Sequence, residues 1–287
     1  KNYYLGEAYG LRAYVYFHLL RSWGDVVLQL DYTNGNSIDI GNPSKAASSA
    51  ADVMTQIKKD IQSSEDAFGD DYSFKYGKCY WSKAATMMLK GEVYLWSGKQ
   101  MNGGESDYTT AKNALMAVKT AGVGLLNDFK KVFAYDNKEN DEIIFAIHNG
   151  RNEYSLWNDQ YRSTMVMNQA NFGTYYDENG ALLNETEMAD MSGLIRYQVE
   201  QDLYTQLFRE GDTRKSISIK GIYNKDNTSG TLSFNSPIAY KFQGVLLDGD
   251  AQRSWLDDYP IYRYADCLLD GFLPFRCSVI ILLFINT

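Results

Sequence analysis

Leu5, Ala8, Leu11, Val15 and Leu19 recur at steps of three and four, a spacing that predicts a helix with these five residues on its core-facing side. Gly24 in Trp23-Gly24-Asp25 predicts the end of that helix, and residues 26–30 then read as an extended, strand-like run. A polar stretch over 31–49 leads into a second expected helix, where Val53, Ile57 and Ile61 return every four residues. A third is expected from Trp81 through Ala84, Ala85, Met88, Leu89, Val93 and Leu95, closed by Gly98, with residues 108–119 as its companion. Residues 140–147 read as a short buried strand. Between 147 and 180 no helical or alternating period lasts, and loops of that kind are more often functional than accidental. Residues 279–285 are apolar throughout, too short a run to span a bilayer, and Pro274 and Arg276 interrupt any longer one.

The chain has 287 residues, enough for one large domain or two small ones, and its formal net charge of −8 leaves no electrostatic footprint for nucleic acid or an anionic membrane surface. Its three cysteines, Cys79, Cys267 and Cys277, suggest neither a disulfide framework nor a zinc site. Only two histidines occur, His18 and His148, and with no third nitrogen or thiolate near either in sequence no metal centre is expected; no cofactor is implied. There is no G-x-S-x-G elbow and no Gly-rich phosphate loop, and the acid pairs Asp70-Asp71, Asp257-Asp258 and Glu185/Glu187 read as solvated carboxylates.

Twenty-three tyrosines against thirteen phenylalanines point to surfaces that meet amphipathic ligands. Pyranose rings have apolar C–H faces and polar rims, so a protein holds them by stacking an aromatic ring on the face and offering amides, carboxylates or guanidinium groups to the hydroxyls. In the unpatterned stretch, Tyr154, Trp157 and Tyr161 form a candidate platform with Asn158, Asp159 and Arg162 as rim partners. Tyr175 and Tyr176 are a second candidate pair, and Trp255, in a loop-like segment, is a further one. The alternative is that Trp157 plugs the segment onto the helices. Trp23, Trp81 and Trp96 are assigned to the core, and Arg12, Arg21, Asp25, Arg263 and the Gly211-Asp212-Thr213-Arg214 turn to structural roles.

Several blocks resemble the SusD/RagB family: the first helix with its Trp-Gly-Asp stop over 5–30, the third helix over 81–99, the Gly-Asp-x-Arg turn at 211–214, the Lys241-Phe242 pair, and Arg263-Tyr264-Ala265 followed by Leu268-Leu269. Within the third helix, Leu89-Lys90-Gly91-Glu92-Val93-Tyr94 approximates the core of a tetratricopeptide repeat, displaced by one residue. The resemblance implies a mainly α fold: a tetratricopeptide-like helical superhelix over 1–125, a large irregular loop and short-strand insertion over 126–258 carrying the ligand site, and the start of a returning helix over 259–269. Beyond Leu269 the family pattern stops, and residues 270–287 are read as an atypical, frameshifted or fused tail. The family's function implies a non-enzymatic, cell-surface binder of oligosaccharide or polysaccharide at the extracellular face of the outer membrane. It implies a SusC-like TonB-dependent transporter as partner, and a secretory signal and N-terminal lipid anchor upstream of Lys1. The competing classes are a helical glycoside hydrolase or lyase and a tetratricopeptide-type protein-interaction scaffold.

Overall fold

The computed structural model describes residues 2–31, 45–153, 166–194 and 196–272. The chain divides into two compact units, one drawn from Lys1–Leu125, Ile143–Phe145 and Tyr262–Thr287, the other from Leu126–Glu142 and Ala146–Ile261. The fold is mainly α, with small sheets.

The first unit holds the long helices α1 (Asn2–Trp23), α2 (Ala50–Phe68), α3 (Lys83–Gln100) and α4 (Gly104–Ala117). Helix α1 packs on α2 and α3 on α4, pairs of the tetratricopeptide kind, with α2 also against α3. Helix α5 (Tyr264–Phe272) lies against α3 and α4, and the Cys267 thiol donates to the Leu115 carbonyl. Ser49 and Ser82 cap α2 and α3 by accepting from the amides of Asp52 and Ala85. The predicted interiors of α2 and α3 are in place: Val53, Ile57, Ile61, Ala84, Ala85, Met88, Leu89, Val93 and Leu95 are all buried.

Helix α1 packs with the face opposite to the predicted one. Leu5, Ala8, Leu11 and Val15 are exposed and Leu19 half-buried, whereas Gly6, Gly10, Ala13, Phe17 and Leu20 are buried. The aliphatic stripe lost to small residues because only these let aromatic side chains of other segments reach the helix backbone. A Cβ at Gly6 would lie 2.7 Å from Phe68 Cε2, and one at Gly10 would overlap the Trp81 indole nitrogen. Polar contacts lock the same face: the Arg12 guanidinium donates to both carboxylate oxygens of buried Asp60 at 2.7 and 2.6 Å, and the Ser64 hydroxyl donates to the Gly6 carbonyl at 2.6 Å. Gly24 does end the helix, its N–H donating to the Leu20 carbonyl at φ +72°. Trp23 is exposed rather than core, because the helix carries it past the last packed turn; Trp81 is buried, and Trp96 is half-buried edge-on to Phe17. Among the described residues, 26–30 make a single bridge, Val26 to Ser48, in place of a strand. Gly98 does not close α3, which runs on to Gln100; it sits under the Tyr108 ring, where a Cβ would come within 2.6 Å.

Strands β1 (Ile143–Ile147) and β4 (Tyr259–Arg263) pair, and the chain passes from one unit to the other within them. Residues 259–263 are therefore strand, and the returning helix begins only at Tyr264. In the second unit, β2 (Ile219–Lys225) and β3 (Leu232–Ala239) form an antiparallel hairpin in register from Ile219 opposite Ala239 to Lys225 opposite Leu232, with a bulge between Ile222 and Tyr223. The Asp226 carboxylate closes its turn by accepting from the amides of Thr228 and Ser229. Asp212 does the same for the Gly-Asp-x-Arg turn. It accepts from the amide and guanidinium of Arg214, whose side chain holds the Asp212 carboxyl down at about 2.

Trp255 is fully buried, contrary to its expected place in an exposed loop. Its indole N–H donates to the Phe242 carbonyl at 3.1 Å, and its ring lies 3.3 Å from where a Cβ of Gly244 (φ +64°) would stand, so only glycine fits there. Arg253 ties the same loop down by donating to the carbonyls of Glu187, Ala189 and Gln243. Next to it Asp257 is buried with its Oδ2 lacking a hydrogen-bond partner among the described residues, and burial pushes its carboxyl up to about 6 against the help of Lys138 and two backbone amides.

Alanine forms helix better than glycine by about 1 kcal/mol, yet Gly10→Ala is expected to destabilise the protein by about 1–3 kcal/mol through overlap with Trp81; an unchanged or higher urea midpoint would contradict it. A carboxyl whose pKa is raised on folding binds more protons in the folded state, so its contribution to stability is greatest in acid and falls as pH rises through about 6. Asp257→Asn should therefore stabilise at pH 7 by about 1–3 kcal/mol and flatten the stability profile between pH 4 and 6, measured by denaturant titration.

Candidate ligand-binding surface

The predicted platform Tyr154, Trp157 and Tyr161, with Asn158, Asp159 and Arg162, lies outside the described residues. The chain on either side of it is described, and both flanks are firmly held. On the near side, buried Asn149 donates through its backbone to the Asp258 carboxylate (3.0 Å) and through its side chain to the Asp257 carbonyl (2.9 Å), while its own carbonyl accepts from Lys138 Nζ (2.6 Å). Asp258 also faces Lys138 Nζ at 2.8 Å and His148 Nδ1 at 3.1 Å. Arg151 pairs with Asp250 at 2.8 Å. A largely covered carboxylate held by an ammonium, an imidazole and an amide makes a rigid clamp, because releasing the ammonium leaves a partly desolvated charge uncompensated. On the far side, Val166 and Met167 are buried, the Met167 carbonyl accepts from the Gly193 amide at 2.7 Å, and Asn168 caps the short helix Gln169–Phe172.

Of the second candidate pair, Tyr175 and Tyr176 are both half-buried. Tyr176 exchanges backbone hydrogen bonds with Tyr223 at the β2 bulge (2.9 and 2.8 Å), and Lys225 Nζ stands 5.1 Å from its ring centroid. Three aromatic residues that sequence reasoning did not single out meet at this hairpin: Tyr223 and Phe234 on its strands and Tyr204 on the short helix Gln201–Gln206. Tyr204 stacks on Phe234 (5.6 Å between centroids, 16° between planes), Tyr223 meets Phe234 edge-on (5.6 Å, 83°), and Lys215 Nζ lies 4.3 Å from the Tyr204 centroid. Gly221 opens room for them, since a Cβ there would come within 3.0 Å of the Tyr204 hydroxyl and 3.1 Å of Phe234. Burial, with Tyr223 and Glu178 nearby, raises the Tyr204 phenol; burial and Glu178 raise that of Tyr223, so both hydroxyls stay protonated donors. The missed signal was the Asp226–Thr231 turn between two alternating runs, which places Tyr223 and Phe234 across one hairpin.

This surface offers flat rings, phenolic donors and two ammonium groups, the chemistry of an amphipathic polyol ligand. One member of each acid pair noted in the sequence has a structural partner: Asp71 accepts from the Ser73 amide, Glu187 pairs with Lys130 and Lys220, and Asp258 closes the clamp. His18 and His148 sit beside Arg21 and Asp258 respectively.

No family model matches the chain. Solved structures similar to it include B. fragilis NanU, 58% identical with a TM-score of 0.87 over 94% of this chain and 54% of that one. A SusD superfamily protein from Bacteroides vulgatus is 56% identical, with a TM-score of 0.87 over 94% of this chain and 55% of that one. A laminarin-binding SusD-like protein shares the fold at 22% identity and a TM-score of 0.66, over 93% of this chain and 58% of that one. The chain thus spans little more than half the length of the proteins it matches. At 56% identity over 94% of its own length to a SusD superfamily protein, with a TM-score of 0.87, the chain belongs to the SusD/RagB family.

Proposed function

We propose that this chain is the saccharide-holding portion of a SusD-like surface protein. It binds an oligosaccharide without cleaving it, at the extracellular face of the outer membrane, and hands it to a SusC-like TonB-dependent transporter; a lipid anchor upstream of Lys1 holds the whole protein to the membrane. Among the described residues no helix is long and apolar enough to cross a membrane. The observation that carries the reading is the aromatic group at the hairpin, where Tyr223 and Phe234 on its strands meet Tyr204 from a short helix and Tyr176 from a bridging loop, in the same unit as the two rigid flanks around 154–165. A laminarin-binding protein of the same fold supports the ligand class. In this reading Trp157, flanked by Tyr154 and Tyr161, stacks on the apolar face of a pyranose, and Asn158, Asp159 and Arg162 meet its hydroxyls. Tyr175 and Tyr176 extend the aromatic contact. The second reading, a protein-contact scaffold, is favoured by the exposed Leu5, Leu11 and Val15 face of α1.

Affinity electrophoresis against starch, laminarin, xyloglucan and host glycans tests the function directly: retardation by at least one polysaccharide is expected, with no reducing-sugar release. Measurable turnover would overturn the binding-only reading, and silence across the panel with capture of a soluble protein would favour the scaffold. Trp157→Ala is expected to weaken oligosaccharide binding by about 1–3 kcal/mol, and unchanged affinity in calorimetry would reject its place in the platform. Tyr204→Ala, which unstacks Phe234, should cost about 1 kcal/mol of affinity on the same scale; a variant that binds as tightly as the parent would remove the hairpin from the site.

A further inference from the structure

The helical unit carries a second set of open rings. Tyr4, Tyr76 and Tyr80 are 61%, 39% and 54% exposed. The rings of Tyr4 and Tyr76 are nearly parallel (10°, centroids 5.9 Å apart) with their hydroxyls 3.2 Å from each other, and Tyr80 tilts against Tyr76 at 5.8 Å. The set is braced from below: the Tyr3 ring stands edge-on to Tyr76 (5.4 Å, 89°) and to Phe68 (5.0 Å, 83°). Lys75 Nζ lies 5.4 and 5.3 Å from the centroids of Tyr3 and Tyr76. Tyr76 is presented by a tight turn in which the Gly77 amide donates to the Phe74 carbonyl at 3.0 Å, with Gly77 at φ +97°, a conformation glycine alone adopts freely.

The three rings pack on one another and on Tyr3, yet among the described residues each keeps a large part of its surface open. Exposed patches of this kind mark binding surfaces. Because the rings of Tyr4 and Tyr76 stack on each other, it is the outer face of Tyr4, the most exposed of the three, with the adjoining hydroxyls at its edge, that offers the complement of a pyranose C–H face bordered by hydroxyls. The charges around it are of both signs: Lys75 over the rings, with Glu7 and Asp71 near enough to raise the Tyr3 phenol together with its burial. A neutral sugar suits that balance better than an anionic one. We propose that Tyr4, Tyr76 and Tyr80 form a second saccharide-contact surface, on the helical unit, which takes a pyranose unit of a neutral oligosaccharide. The proposal rests on the glycan-binding reading above and adds a contact that reading does not contain.

The test combines calorimetry of the full chain with laminarin and xyloglucan oligosaccharides and tyrosine nitration mapped by mass spectrometry. The double variant Tyr4→Ala/Tyr76→Ala should lose about tenfold in affinity for whichever oligosaccharide the parent binds. Tyr76→Phe, which keeps the ring, should lose less. In the unaltered protein, nitration of Tyr4, Tyr76 and Tyr80 should fall when that oligosaccharide is present, a readout that does not depend on how the variants fold. If the parent binds, Trp157→Ala weakens it, and the Tyr4 and Tyr76 variants and nitration are unaffected, this inference fails while the glycan reading stands. If the parent binds no saccharide, both fail.

Discussion

The helical unit depends on one buried hydrogen-bond chain at the place where three of its segments meet. The Trp81 indole N–H donates to the Thr86 hydroxyl (2.9 Å), that hydroxyl meets the Ser64 hydroxyl (2.8 Å), and Ser64 donates to the backbone carbonyl of Gly6 (2.6 Å). Trp81, Ser64 and Thr86 have almost no exposure, so each polar atom in the chain must find its partner inside. The chain closes only if α1 approaches without a Cβ in the way, which is why Gly6 and Gly10 occupy the contact and the leucines of α1 do not. Neighbouring contacts take their places from this one: Arg12 reaches Asp60, and Arg21 reaches Glu92, which also accepts from the Tyr262 hydroxyl.

That constraint separates what could be read from the sequence from what could not. Helices α2 and α3 bury the residues their periodicity picks out, since Val53, Ile57, Ile61, Leu89 and Val93 face partners that accept aliphatic side chains. Helix α1 has two stripes of equal period on opposite sides, and a hydropathy pattern ranks leucine and valine above glycine and alanine. The aromatic partners that reverse the ranking, Phe68 and Trp81, lie far along the chain, so nothing local to α1 reveals them. Trp255 failed for a related reason. Its surroundings, Ser254 and Asp257-Asp258, look like a solvated loop, but its indole N–H is satisfied by the Phe242 carbonyl and its ring fills the space over Gly244, neither of which its neighbours in sequence disclose. The Asp212–Arg214 clip was legible because both partners lie within two residues of each other.

Among the described residues of the second unit, order comes less from long elements than from side chains that reach across loops to backbone carbonyls. Arg253 gathers three carbonyls, Lys138 and Asn149 join the stretch after β1 to the Asp257-Asp258 pair, and Asp226 folds the hairpin turn. Loops fixed in this way hold their ends with little loss of freedom on binding, because the ordering has been completed during folding. The cost falls on Asp257, whose carbonyl accepts from Asn149 while its buried Oδ2 lacks a hydrogen-bond partner among the described residues.

The excess of tyrosine over phenylalanine acquires a physical meaning from where each is placed. Phe17, Phe68, Phe133, Phe145, Phe172 and Phe242 are buried, as are Trp81 and Trp255. Among the described residues three tyrosines are buried: the Tyr16 hydroxyl faces the backbone of Gln29, Tyr262 donates to Glu92, and Tyr240 has Lys220 Nζ over its ring. Tyr4, Tyr76, Tyr80 and Tyr197 stand open to solvent. A phenyl ring held in water gives up apolar area with no return, whereas a phenol keeps its hydroxyl solvated and needs only its faces covered by a partner. A surface meant to bind and release a polyol therefore favours tyrosine, since its hydroxyl exchanges water for sugar hydroxyls at little net change while the face supplies the gain.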